Sequence, residues 1–289
     1  MIDRSAEYRV LIENRLRSAL NELDAPEILV NAMAHSLLDA GKRVRPVITM
    51  EFARICGLEP EKALNAACAL ECIHTYSLIH DDLPCMDDDD FRRGKPSCHK
   101  AYGEANALLA GDALLTLAFE LVTMDDVPAQ RKLAACRILA SFAGASGMVG
   151  GQVTDLESEG KQIDLDTVMK LYEGKTCGLI RAACGMGCAL AGADESSMKA
   201  ADTYGYELGM AFQIIDDILD IIGDEKTLGK PVASDIENDK STFVSIVGLE
   251  EAKAQAHEHT EKACRALEGF GSEAEYLVSY ARALETRIN

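Results

Sequence analysis

ALNAACALECIHTYSLIH, residues 63–80, decides the fold class. The run is too long and too apolar for a strand, and its residues do not alternate. It reads as a helix apolar on nearly every side, which belongs at the centre of a bundle. KLAACRILASFAGASGMVGGQ (132–152) reads the same way, as does the run around FQIIDDILD (212–220). Only seven prolines interrupt the chain. Breaks are expected near Gly41–Pro46, Gly57–Pro60, Pro84, Gly94–Pro96, Asp125–Pro128, Gly160, Gly192 and Gly223–Pro231. The expectation is one all-α domain over residues 1–289, a bundle of roughly ten helices around a central cavity.

The 289 residues are 48% hydrophobic and 27% charged, with no long polar tract, which excludes a disordered chain. The net charge of −19 would repel a nucleic-acid backbone. An acidic protein can still bind an anion if cations bridge the two. Of the ten cysteines, Cys68, Cys72, Cys136, Cys184 and Cys188 lie in alanine-rich apolar runs, where cysteine behaves as a small hydrophobe. No CxxC pair occurs. The charged start MIDRSAEYRVLIENRL lacks the apolar stretch of a signal peptide. No run approaches the ~20 apolar residues of a membrane span. These features predict a reduced, cytoplasmic protein without a membrane span.

FQIIDDILD places Asp216 and Asp220 four apart on one face of a buried helix. Two carboxylates alone there would repel, and one would stay protonated. A divalent cation resolves the conflict. The first cluster, DDLPCMDDDD (81–90), follows the helix of residues 72–82. Six residues separate Asp81 from Asp87, about 240° of rotation in a regular helix. Pro84 must therefore break the helix for Asp87 to rejoin Asp81. Asp88, Asp89 and Asp90 stay open between metal ligands and a plain acidic loop. Magnesium usually takes one or two carboxylates plus phosphates and waters, which suits a diphosphate held between two such sets. No DxDxDG spacing occurs, which excludes an EF-hand.

Basic residues form compact groups: Lys42, Arg43 and Arg45 in GKRVRP, Arg92, Arg93 and Lys95 in FRRGKP, then Lys175, Lys230 and Lys240. Arginine forks suit phosphate oxygens, although each group taken alone could be a solvated face. His74, two turns before Asp81 on the same face, is open between a ligand contact and a core histidine. Gly147, Gly150 and Gly151 point to close helix packing before phosphate binding.

Seven motifs in order carry a resemblance: GKRVRP (41–46), ECIHTYSLIHDDLPCMDDDDFRRGKPSCHK (71–100), GMVGGQVTD (147–155), EGKTCGLIRAA (173–183), FQIIDDILDIIGD (212–224), TLGKPVASD (227–235) and DKSTF (239–243). The chain resembles the trans-prenyltransferase family of farnesyl and geranylgeranyl diphosphate synthases over nearly its whole length. The four-residue gap between Asp82 and Asp87 resembles the bacterial short-chain type. The resemblance implies a magnesium-dependent enzyme that ionises an allylic diphosphate, adds isopentenyl diphosphate and removes a proton.

It implies that Asp81, Asp82, Asp87, Asp216 and Asp220 hold the metal, about three ions per site once substrate is bound, with Asp217 behind them or acting through water. Arg92 and Lys230, with Lys175, grip the allylic diphosphate. Lys42, Arg45, His74 and Arg93 bind isopentenyl diphosphate, and Lys240 joins the substrate contacts. Lys175, Thr176 and Gln213 present dipoles to the cation, with Gln152 and Asp155 nearby. Tyr76 and Ser77 limit chain length, and an aromatic at 76 favours the fifteen-carbon farnesyl product. By helix rotation Tyr76 lies about 140° from Asp81 and Ser77 about 40°. The family also implies a homodimer. Geranylgeranyl or geranyl products, a terpene cyclase and a non-catalytic synthase subunit are the other readings.

Overall fold

The computed structural model describes residues 4–38, 41–222 and 242–286. Lys230 and Lys240, with most of the TLGKPVASD and DKSTF motifs, lie outside the described residues. The fold is all-α, as expected. Among the described residues there are fourteen α-helical segments, two of them only five residues long. The helices group into two compact units.

The first unit runs to Cys136 and includes Ala189–Ala191. It holds α1 (Arg4–Asn21), α2 (Glu27–Leu37), α3 (Val44–Ile55), α4 (Leu64–Asp81), α5 (Cys98–Tyr102), α6 (Glu104–Val122) and the start of α7 (Ala129–Ala143). Helix α4 is the run quoted first, and it packs against α3 and α6. With His80 half-buried on the opposite flank, one edge of the helix's last two turns stays half open through His74, Ser77, Leu78 and Asp81. Those positions follow the i, i+3, i+4, i+7 rule of a single helical stripe.

Two polar devices hold α4 in place. At its start Asp125 accepts the backbone N–H groups of Asn65 and Ala66 at 2.9 and 3.0 Å, a carboxylate on a helix N-terminus. In its middle Glu71 accepts Arg43 at 2.7 Å, and Arg43 also binds Glu13 at 2.6 Å and the Leu37 carbonyl. Arg43, 2% exposed, thus ties α1, the end of α2 and α4 together. GKRVRP therefore carries a structural arginine as well as a solvent-side lysine, Lys42. On the other flank, His80 reaches the Leu108 carbonyl of α6 at 3.0 Å. A Cβ added to Gly111 of α6 would lie 2.1 Å from the His80 ring, so a larger residue there would have to displace that ring.

The second unit comprises Arg137–Cys188 and the chain from Gly192 on. It contains α8 (Met148–Ser158), α9 (Leu165–Tyr172), most of α10 (Gly178–Ala191), α11 (Glu195–Ile222), α12 (Phe243–Val247), α13 (Leu249–Ala266) and α14 (Glu275–Glu285). Helix α11, 28 residues long, packs along α13. The fully buried Tyr204 of α11 gives its hydroxyl to the Leu277 carbonyl of α14 at 2.9 Å.

Between α9 and α10 the chain makes one π turn, Glu173–Cys177. Its seat is a backbone contact with α8. A Cβ on Gly151 would lie 2.4 Å from the Lys175 nitrogen, and one on Gly174 would lie 3.0 Å from the Gly151 Cα. This is the close packing expected of the GMVGGQ glycines.

Three features differ from the sequence reading. The run 132–152 is two helices, because the chain turns at Gly144–Gly147. Residues Phe91–Arg92 and Lys95–Pro96 pair as a short antiparallel hairpin. Its turn residues, Arg93 (φ 55°) and Gly94 (φ 76°), both take positive φ, the geometry that matches strand twist in a two-residue hairpin. The third concerns membrane spans. Glu104–Val122 and Ala129–Ser158 are long and apolar enough to span by length and composition. The first, α6, closes its apolar side on α4, and the second is interrupted at Gly144–Gly147. All ten cysteines are free thiols, seven of them buried.

Candidate active site

In the first unit, α4 ends at Asp81, and the chain turns back through Pro84 as the spacing requires. The Asp87 N–H donates to the Asp81 carbonyl at 2.8 Å, bringing the two residues side by side. Asp82, 2% exposed, accepts the Arg92 guanidinium at 2.8 Å. Burial outweighs this partner and raises the Asp82 carboxyl above its ordinary range. Arg92 also binds Asp89 at 2.8 Å. Asp90 pairs with Lys100 at 2.7 Å, and Asp88 stands 4.0 Å from the same ammonium. Asp88, Asp89 and Asp90 thus form an acidic loop balanced by its own cations.

Arg93 extends from the hairpin turn to His74, with Nη2 at 3.4 Å from Nε2. An arginine only donates, so the His74 Nε2 must accept and the ring is neutral. Burial, reinforced by the charges of Arg45, Arg93, Arg43 and Arg92, holds the His74 pKa well below 6.5. The Arg93 guanidinium also lies against Gly41, where an added Cβ would sit 3.3 Å from its carbon. GKRVRP and FRRGKP, fifty residues apart, therefore meet around His74. The positive φ of Arg93 costs about 1–2 kcal/mol, and it persists because His74 and Gly41 hold the side chain. A pocket of about 110 Å³ opens beside it, lined among others by Gly41, Thr75, Leu78, Asp82 and Arg92.

Ser77 shares the open edge of α4 with His74 and Asp81. Tyr76 does not. It is 7% exposed and packs edge-on against His80, ring centres 5.7 Å apart, on the α6 side.

In the second unit, the half-open edge of α11 carries Phe212, Gln213 and Asp216, while Asp217 and Asp220 are 4% and 2% exposed. The Thr176 hydroxyl in the π turn donates to the Gln213 carbonyl oxygen at 2.8 Å, and Gln213 turns its amide toward Asp217 at 3.3 Å. Lys175 pairs closely with Asp155 of α8. Asp217 accepts the Tyr172 hydroxyl and, at 2.9 Å, the Phe243 N–H. Its Oδ2 thus accepts Tyr172 and Phe243 while Oδ1 accepts Gln213. Tyr172 and Phe243 were not foreseen, since a lone tyrosine before EGKT has no pattern of its own.

Among the described residues, no three carboxylate, histidine or thiol groups stand close enough to cage a metal unaided. Magnesium needs no such cage, taking one or two carboxylates with waters and phosphates. Asp81 with Asp87, and Asp216 one turn before Asp220, are donor sets of that kind. They fit an ion that arrives with a diphosphate.

The Polyprenyl synthetase family model matches residues 26–280. The chain belongs to this family. It is 43% identical to the farnesyl diphosphate synthase of Bacillus subtilis (strain 168) over 285 residues, covering 98% of this chain and 96% of that one. It is 41% identical to the geranylgeranyl diphosphate synthase of Cyanophora paradoxa, covering 98% and 95%. The crystal structure of an FPP/GFPP synthase from Zymomonas mobilis superimposes with a TM-score of 0.87 at 36% identity, covering 97% of each chain. The fold and family implied by the seven motifs are both met.

Proposed function

We propose that this protein is a magnesium-dependent prenyltransferase that condenses isopentenyl diphosphate with dimethylallyl or geranyl diphosphate to give (2E,6E)-farnesyl diphosphate. The cationic cluster around His74, beside the aspartate turn, carries this reading. A terpene cyclase has no use for a second diphosphate site, whereas a condensing enzyme needs one. Farnesyl diphosphate synthases prevail among the relatives with the highest identity, which supports the fifteen-carbon product.

The proposed roles combine the positions of the described side chains with the family motifs. Lys42, Arg45, Arg93 and the neutral His74 hold isopentenyl diphosphate. A neutral ring can donate through Nδ1 without adding charge. Asp81, Asp82, Asp87, Asp216 and Asp220 hold Mg²⁺, and bound magnesium disperses the charge of the departing diphosphate. Arg92 moves from Asp82 to the allylic diphosphate, with Lys175 and Lys230 beside it and Lys240 among the remaining substrate contacts. The hydroxyl and amide dipoles of Thr176 and Gln213 lie ready for the allylic cation. Apolar helix faces exclude water from that cation. The leaving diphosphate takes the final proton, so no side-chain base is required. The 289 residues act as one domain in a soluble, cytoplasmic homodimer.

Product analysis by mass spectrometry, with purified protein, both substrates and Mg²⁺, tests the reading. Diphosphate release that ignores isopentenyl diphosphate would instead indicate a cyclase. Chain length is set on α4, with Ser77 on the open edge and Tyr76 packed behind. Tyr76→Ala is expected to lengthen the product and Ser77→Phe to shorten it. Unchanged products from both would remove α4 as the floor.

A further inference from the structure

Tyr172 closes a chain of contacts that the roles above leave unused. Its hydroxyl donates to Asp217, and the Phe243 N–H reaches that hydroxyl at 3.1 Å and Asp217 Oδ2 at 2.9 Å. The other Asp217 oxygen accepts Gln213 Nε2 at 3.3 Å, and the Gln213 carbonyl accepts Thr176 at 2.8 Å. Four elements meet here: α9, the π turn, α11 and the start of α12. Thr242 caps α12 through a reciprocal pair with Ser245, so the Phe243 amide is fixed from both sides.

We propose that Tyr172 is a positioning residue: through Asp217 it fixes the Gln213 amide and the Phe243 backbone, and Asp217 is the pivot of this latch, not a metal ligand. The orientation of Gln213 is the consequence that matters. An amide has a donor end and an acceptor end of nearly equal shape. The Gln213 NH2 faces Asp217 and its carbonyl faces the Thr176 hydroxyl, and this pair of contacts selects one orientation. The tyrosine thereby sets the dipole offered to the cation without touching substrate.

The inference rests on the prenyltransferase reading for its catalytic consequence, but not for its structural one. Tyr172→Phe removes the hydroxyl alone. In metal-free full-length protein, hydrogen exchange at the Phe243 amide is expected to accelerate at least several-fold. In the assay, kcat is expected to fall about tenfold, the worth of one hydrogen bond to a charged group, with both KM values within about twofold. A merely structural role would lower the melting temperature and leave kcat per folded molecule unchanged. That result, or unchanged exchange at Phe243, overturns the proposal. Asp217→Asn keeps an acceptor oxygen for Tyr172 and Phe243, though not for Gln213, and is expected to leave the Mg²⁺ concentration for half-maximal rate within about threefold, since one or two carboxylates suffice for the ion. A shift of about tenfold or more returns Asp217 to the metal ligands and overturns the pivot. A wild-type protein that forms no prenyl diphosphate would sink the functional reading, while exchange at Phe243 still decides the latch.

Discussion

The aspartates at 81–90 close a helix and fill the turn beyond it, among cations. Those at 216–220 sit inside an unbroken helix, where Asp217 accepts a phenol and two amides. In the first region Asp82 is neutralised by Arg92, and Asp90 by Lys100. In the second, Asp217 is solvated by a phenol, a backbone amide and a side-chain amide. A cation partner can be handed over to an arriving anion, because Arg92 binds a diphosphate as readily as a carboxylate. Neutral donors cannot be traded that way. The Arg92 contact of the first cluster is therefore free to rearrange, whereas the three donors on Asp217 hold it in place.

The sharpest attempt to break this contrast removes one ligand from each region. Asp81→Ala and Asp216→Ala are each expected to lower turnover by about a thousandfold or more, as loss of metal-borne charge stabilisation does. Steady-state diphosphate release measures it, and a variant within tenfold of wild type loses its ligand role.

Next in size is the support beneath the first cluster. Arg43→Ala leaves Glu71 buried at 3% exposure with no guanidinium, and is expected to cost about 3–5 kcal/mol of stability. Denaturant unfolding checks this. An unchanged midpoint would mean that the Glu13–Arg43–Glu71 set does not hold α4.

A smaller effect concerns pH. The folded-state pKa of His74 lies below its unfolded value of 6.5, so the unfolded chain binds more protons as pH falls through 6.5. Stability is therefore expected to decline below that pH, and His74→Gln to decline less. Equal pH profiles for the two proteins would show that His74 is not held neutral. Smallest of all, Asp90→Asn is expected to leave turnover within about twofold, since its pairing with Lys100 is a surface contact. A large loss would promote the acidic loop to a working part of the site.

Much of this was legible in the sequence, for physical reasons that differ by region. Helix α11 follows from apolar periodicity, and with it the shared face of Asp216 and Asp220. The return of Asp87 to Asp81 follows from Pro84 and the helical repeat. The break at Gly144–Gly147 was not legible, because small apolar residues look alike in a helix and in a tight turn. The hairpin at 91–96 escaped because two-residue strands have no period to detect. Arg43 looked like its neighbours Lys42 and Arg45, since burial depends on Glu13 and Glu71, which come from other helices. Tyr172 was invisible for the same reason: its partners stand 45 and 71 residues away. Lys230 and Lys240 lie outside the described residues, and their expected roles rest on the family motifs.

Gly111 carries a consequence for how such an enzyme can diversify. With no room for a methyl group against His80, the contact works as a mechanical detent that stops α4 from sliding along α6. The depth of Asp81 is thereby indexed to a residue thirty positions further on. A change at either Gly111 or His80 therefore calls for a matching change at the other if α4 is to keep its seat on α6.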